Sequence, residues 1–220
     1  MEAEQLRPQE LDEHVRKGTF RLAFVGMSNA GKSYRSRVLQ NELGFFWYEV
    51  DANIQNILDV EGMTGVSEWL GYPTSPTYQE RQVKYLKAEE ESTFLHQLDT
   101  RGKNLVFDTT GSVIYLSEAA KDWLRHECLV VNINVGEETI PEMTERYFEE
   151  PKPVIWGGYF TQQKDETEEA ALRRSYGDML HARLLEYEAL AHITIPYAEL
   201  YDKTGEDTLS VIKHYLSLQT

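Results

Sequence analysis

The sequence predicts an α/β fold in which a five-stranded parallel sheet is covered by helices on both faces. Three observations lead there. Five short apolar runs, residues 20–25, 45–50, 104–108, 129–135 and 192–196, have the length and the aromatic and β-branched content of buried strands. Helical patterns separate them, so the order is β-α-β-α-β with longer insertions, the signature of a parallel sheet in three layers, α/β/α. The first run leads directly into Gly26–Ser33, GMSNAGKS, which fits G-x-x-x-x-G-K-[ST], a phosphate-binding loop (P-loop) that needs a strand before it and a helix after it.

Each part of that loop has a chemical reason. Gly26 and Gly31 let the backbone turn sharply and bring N–H groups close to phosphate oxygens, with Met27, Ser28, Asn29 and Ala30 between them. Lys32 offers a positive charge to the β- and γ-phosphates, and Ser33 a hydroxyl to Mg²⁺. Tyr34 follows in the first turn of a helix predicted over 33–43 and closed by Gly44, whose N-terminal dipole favours the same anion.

The second strand ends Glu49-Val50-Asp51. Alternation predicts both carboxylates on one side of the strand, at the carboxyl edge where parallel sheets bind ligands. One could accept a hydroxyl proton while the other supports Mg²⁺; Asp51 is also a candidate N-cap for a helix beginning at Ala52. The third strand ends in Asp108, followed by Thr109-Thr110-Gly111. An apolar strand ending in Asp beside a P-loop can hold Mg²⁺ through water or activate a nucleophile, and the Gly111 N–H can meet a γ-phosphate or a substrate oxygen. The plainer role for Asp108 is to cap the turn.

Two connections exceed a simple crossover. Residues 52–103 hold a helical start, a turn at Gly71–Pro76 and a polar helix from about Tyr78 to Leu98, together expected to form a substrate-binding insertion. Residues 147–165 carry Pro151, Pro153, Gly157 and Gly158 among charges, and are expected to form a mobile lid whose Trp156 and Tyr159 close over a ligand. A helix over 166–190 then leads to the last strand. Trp47, Trp69 and Trp123 read as packing anchors, His181 as a possible neighbour of the site through Arg183, and Glu89–Glu91 as a solvated helix face from which Glu90 can pair with Lys87 or Arg183.

Composition narrows the partners. With 37 acidic and 22 basic residues the net charge is −15, which repels nucleic acid and anionic membranes but leaves room for a local basic pocket. The one cysteine, Cys128, lies in an apolar strand and excludes an intrachain disulfide or a zinc framework. Met1–Lys17 has no apolar signal core, and no run is long enough to span a bilayer. A single cytoplasmic domain over 1–220, monomeric or weakly dimeric, is the expectation.

Taken together, these motifs resemble the shikimate kinase branch of the nucleoside-monophosphate-kinase-like P-loop proteins, over residues 20 to 215. Glu49-Val50-Asp51 stands for that group's Asp-x-Asp, Leu86–Glu90 (LKAEE) for Phe-Arg-x-x-Glu, and Thr109-Thr110-Gly111 for a triple-glycine turn. Arg146 and Lys152-Pro153 stand for an Arg and a lid Arg-Pro, and Arg183–Tyr187 for Arg-x-x-x-Tyr. The resemblance implies strand order 2-3-1-4-5 and Mg²⁺-dependent transfer of the γ-phosphoryl of ATP to a hydroxyl of a small anionic metabolite. It also implies roles. Asp51 would deprotonate the acceptor; Lys87, Arg183 and the Gly111 N–H would bind its anionic group; Lys152 would swing in with the lid; Arg146 would lie against adenine. Lys32, Asp51, Asp108 and Lys152 would then be the catalytic set, and Ser33, Glu49 and Asp108 the metal set. The departures fall on the acceptor side: lysines at 87 and 152 lose the arginine fork, and two threonines narrow the glycine turn. Two other functions fit the motifs. One is a nucleotide switch sensing γ-phosphate through Asp108–Gly111, although no Asn-Lys-x-Asp guanine motif occurs; the other is a binding protein on a catalytically degenerate kinase scaffold.

Overall fold

The computed structural model describes residues 6–94 and 99–219. Its five strands, β1 (Arg21–Val25), β2 (Phe46–Glu49), β3 (Leu105–Asp108), β4 (Leu129–Asn134) and β5 (Ile193–Pro196), form one all-parallel sheet in the order β2-β3-β1-β4-β5. Both the strands and their order match the sequence expectation.

Period-two alternation divides the strand residues between two cores. Leu22, Phe24, Val106, Val131 and Ile133 face one way, onto α2 (Lys32–Leu43) and α10 (Gly205–Ser217) through Leu39 and Ile212. Ala23, Val25, Phe107 and Val130 face the other, onto α6 (Glu118–Glu127) and α8 (Glu168–Leu190) through Leu124, Met179 and Tyr187. Gly44 ends α2 as expected, in the left-handed region at φ 69°, with its N–H donating to the Gln40 carbonyl and that of Phe45 to Leu39. A helix the sequence reading missed, α1 (Pro8–Lys17), packs Leu11 into the α10 side.

The insertion holds α3 (Val50–Leu58), α4 (Gly62–Leu70) and α5 (Tyr78–Thr93). The Leu98 end of the expected helix lies outside the described residues. On α5 the buried positions are Tyr78, Gln82, Tyr85, Ala88, Glu89, Ser92 and Thr93, a helical stripe that turns Lys87 and Glu90 away from it.

Part of the segment expected to be a mobile lid packs into the core. Its first residues belong to α7 (Ile140–Glu149), and Val154, Ile155 and Trp156 are buried, Trp156 to 1% exposure. The Tyr78 hydroxyl donates to the Val154 carbonyl at 3.0 Å and accepts from the Trp156 N–H at 2.8 Å. Tyr147 stacks on Tyr176 at 4.2 Å, and both rings meet Trp156 edge-on. Trp156 is therefore a core residue rather than an exposed lid aromatic, because the tyrosines of α7 and α8 supply an apolar slot for it; Glu149–Lys152, Gly157, Gly158 and residues 161–165 stay exposed. Trp156→Ala should cost about 3–5 kcal/mol of unfolding free energy in urea titration; a cost below about 1 kcal/mol would show that this strap is not part of the core.

Candidate active site

The P-loop joins the carboxyl end of β1 to α2. Gly26 sits at φ 137° and Gly31 at φ 84°, and Asn29 also takes a left-handed φ of 64°. A Cβ at Gly26 would lie 2.7 Å from the Ile133 carbonyl oxygen, so the tight entry to the loop requires glycine. Lys32 is buried, and its ammonium donates to the carbonyls of Gly26 and Met27, both at 2.9 Å. Burial pulls its pKa down, and Asp108 and Asp51 oppose that shift.

In-register pairing brings the acidic strand ends together, with Glu49 opposite Asp108 and Asp108 opposite Phe24 of β1. The Trp47 indole N–H donates to Asp108 Oδ2 at 3.2 Å, and the nearby Ser33 hydroxyl favours the ionised form of this carboxylate. Oδ1 is buried without a partner. Burial raises the Asp108 pKa against Lys32, Ser33 and Trp47; it also raises that of Glu49, helped by Asp108. Trp47, read as a packing anchor, thus also orients a site carboxylate.

Asp51 reaches the site by another route than alternation. β2 stops at Glu49, which is itself the N-cap residue, and the helix starts at Val50, so Asp51 lies in the first turn of α3. It is neither a strand residue nor the N-cap. Burial pushes its pKa up to about 6, Lys32 and Lys152 pull it down, and Asp108 and Glu49 push it further up. The Lys152 ammonium donates to Asn29 Oδ1 at 2.5 Å, tying the exposed end of the strap to the P-loop.

Arg183 on α8 is 5% exposed and closes the far side of a narrow cleft that Asp51, Tyr85, Gly111 and Lys152 also line. Its Nε donates to the Tyr115 hydroxyl at 3.2 Å and Nη2 to the Ile155 carbonyl at 2.6 Å. Among the described residues it has no carboxylate within ion-pair distance. Tyr187 donates to the Gly111 carbonyl at 2.5 Å, and a Cβ at Gly111 would lie 3.5 Å from Arg183 Nη1.

Lys87 and Glu90, expected at the acceptor side, are not brought to this cleft. Lys87 projects to solvent, 78% exposed, and pairs with Glu91 at 3.9 Å, because it lies opposite the buried stripe of α5. Glu90 accepts from the Ser117 hydroxyl at 2.8 Å at the start of α6, rather than pairing with Lys87 or Arg183. The inward carboxylate is Glu89, one residue earlier; it is fully buried rather than part of a solvated face. Arg146 is half exposed, pairs with Glu142 at 2.7 Å, and lines a small hollow beside Ser28 and Asn29. His181 is exposed.

A cavity of about 270 Å³ opens elsewhere along the P-loop, lined by Ala30, Gly31, Tyr34, Tyr197, Tyr201 and Asp202 among others. The two later tyrosines were missed in the sequence reading. Their signal is position: Tyr197 opens the short helix α9 (Tyr197–Leu200) that follows β5 and Tyr201 ends it, at the carboxyl edge of the sheet where ligands bind.

No protein-family model matches the chain, and no curated protein matches it. Solved structures share its fold. Shikimate kinase from Acinetobacter baumannii, in complex with shikimate, superposes with a TM-score of 0.59 at 19% identity, covering 96% of this chain and 98% of that one. Shikimate kinase from Bacteroides thetaiotaomicron superposes at 0.58 with 15% identity, covering 90% and 98%. The chain has the P-loop kinase fold of these enzymes. Among the described residues no helix is long and apolar enough to cross a membrane.

Gly26→Ala tests how tightly the loop is built. The added methyl must displace the Ile133 carbonyl and hold a disfavoured φ, a loss of about 1–3 kcal/mol. Thermal unfolding should register it; an unchanged melting temperature would mean that the loop entry is not constrained.

Proposed function

We propose that the protein is an ATP-dependent kinase that transfers the γ-phosphoryl group to a hydroxyl of a small anionic acceptor. The observation that carries this reading is the position of Asp51. It shares one cleft with Lys152 and Arg183, and the charge of the P-loop lysine acts directly on it.

The P-loop N–H groups, Lys32 and Lys152 then stabilise negative charge on the phosphoryl oxygens, the main demand that phosphoryl transfer makes on a protein. Ser33 and Asp108, with Glu49 alongside, fit Mg²⁺: an unpartnered buried carboxylate oxygen beside a hydroxyl is the oxygen donor set that ion takes with substrate phosphates. Mg²⁺ held by these residues would supply charge neutralisation to the nucleotide phosphates. Asp51 accepts the proton of the acceptor hydroxyl. Arg183, a buried cation without a carboxylate partner among the described residues, draws the acceptor's anionic group. The tyrosine-lined cavity beside Gly31 offers aromatic faces to the base. The strap holding Val154 and Ile155 over the cleft keeps water from competing as acceptor.

The test is ADP release measured with ATP and Mg²⁺ across a panel of hydroxy acids, including shikimate, and sugars. At least one acceptor should accelerate it, and Asp51→Asn should lower kcat for that acceptor about 10²–10⁴-fold. Tight nucleotide binding with no acceptor-dependent ADP release would overturn the kinase reading, and unchanged turnover in Asp51→Asn would overturn the role of the base.

A further inference from the structure

The turn after β3 rests on a carboxyl group that the mechanism above does not use. Glu89 is fully buried on α5. Thr110 Oγ1 lies 2.5 Å from Glu89 Oε1, Ser112 Oγ lies 2.5 Å from Oε2, and the two hydroxyl oxygens are 2.9 Å apart. The Ser112 N–H also donates to Thr110 Oγ1 at 2.9 Å. Three oxygen–oxygen contacts at hydrogen-bond distance need three protons, and the two hydroxyls own only two. Among the described residues no lysine or arginine lies within ion-pair distance of Glu89.

We propose that Glu89 carries the missing proton: it is a neutral carboxylic acid closing a ring of three hydrogen bonds with Thr110 and Ser112, and this ring positions the turn bearing Gly111. The acid proton goes to the hydroxyl facing it. That hydroxyl gives its own proton to the second, and the second returns to the other carboxyl oxygen. In a ring of this kind each bond polarises the next.

The surroundings agree. Asp51 on α3 disfavours charge on Glu89, Tyr85 lies beside it on its own helix, Tyr187 faces it from α8, and Arg183 from α8 favours ionisation. Burial, the largest influence, pushes its pKa up to about 7, against the Ser112 and Thr110 hydrogen bonds. Removing the proton turns both hydroxyls toward the carboxylate and leaves two lone pairs facing each other across the Thr110–Ser112 contact. The turn then loosens where Tyr187 and Arg183 meet Gly111. That this turn forms the acceptor wall rests on the kinase reading; the ring does not.

The native protein thus holds a proton that the unfolded chain releases near the ordinary value of 4.5. The stabilisation is complete below that pH and is lost as pH rises to and through about 7. Glu89→Gln supplies a neutral group of the same shape, whose NH₂ donates to one hydroxyl while its carbonyl accepts from the other. Thermal unfolding of the full chain should find wild type and E89Q similar near pH 5, and E89Q ahead by on the order of 5–10 °C near pH 8. A variant less stable than wild type by the same margin at every pH would overturn the proposal, since that is the signature of a carboxylate ionised throughout. If E89Q does not fold, ¹³C NMR of wild-type protein labelled at the glutamate carboxyls decides: one carboxyl titrating near 7 supports the ring, and none titrating above about 5 overturns it. Neither measurement depends on turnover, so a failed kinase assay and a failed ring are distinguishable.

Discussion

In-register parallel pairing of three strand ends places the P-loop lysine and the carboxylates Glu49, Asp51 and Asp108 of the site. Phe24 of β1 and Glu49 of β2 both sit opposite Asp108 of β3, so the P-loop, the first turn of α3 and the turn after β3 all start from one edge. A slip of one residue in either ladder would send alternate side chains to the other face of the sheet. The two apolar cores forbid that slip, since Leu22 and Phe24 fill one and Ala23 and Val25 the other. Packing that owes nothing to chemistry thus fixes the chemistry to within a side chain's reach.

Burial decides the charge states along that edge. Desolvation is the largest influence on Lys32, Glu49, Asp51, Asp108 and Glu89 alike; it lowers the lysine and raises the carboxyls. Opposite charges reduce these shifts without cancelling them. At an effective dielectric of about 20, an ion pair at 4 Å gains only about 4 kcal/mol, comparable with the several kcal/mol lost on burying one ion. The site therefore raises its carboxyl groups above their ordinary pKa values, and a cationic ligand component favours their ionisation. Arg183 has the complementary position, a buried cation held by a tyrosine hydroxyl and a backbone carbonyl.

Much of the fold was legible because its signals are local. Apolar strands, a P-loop between strand and helix, and Gly44 at the end of α2 all appear in contiguous residues. The strand order came from the resemblance, not from the residues themselves. What failed depended on helix phase and tertiary packing. Shifting the α5 motif by one residue exchanges Glu90 for Glu89 and sends Lys87 into solvent, and the pentad LKAEE alone does not fix that phase. Glycines and prolines around Trp156 suggested mobility, but Tyr147 of α7, Tyr176 of α8 and the distant Tyr78 of α5 make the slot that holds it. Tyr197 and Tyr201 carry no motif; only the end of β5 marks them.

The most direct measurement is calorimetric titration of the full chain with ATP and Mg²⁺, wild type against Lys32→Ala. The expected result is one site per chain with micromolar or tighter affinity, weakened at least tenfold on removing the lysine, about 1.4 kcal/mol or more. Absence of binding by the wild type, or equal affinity in the two proteins, would contradict the reading of this sheet edge as the donor half of a phosphotransfer site.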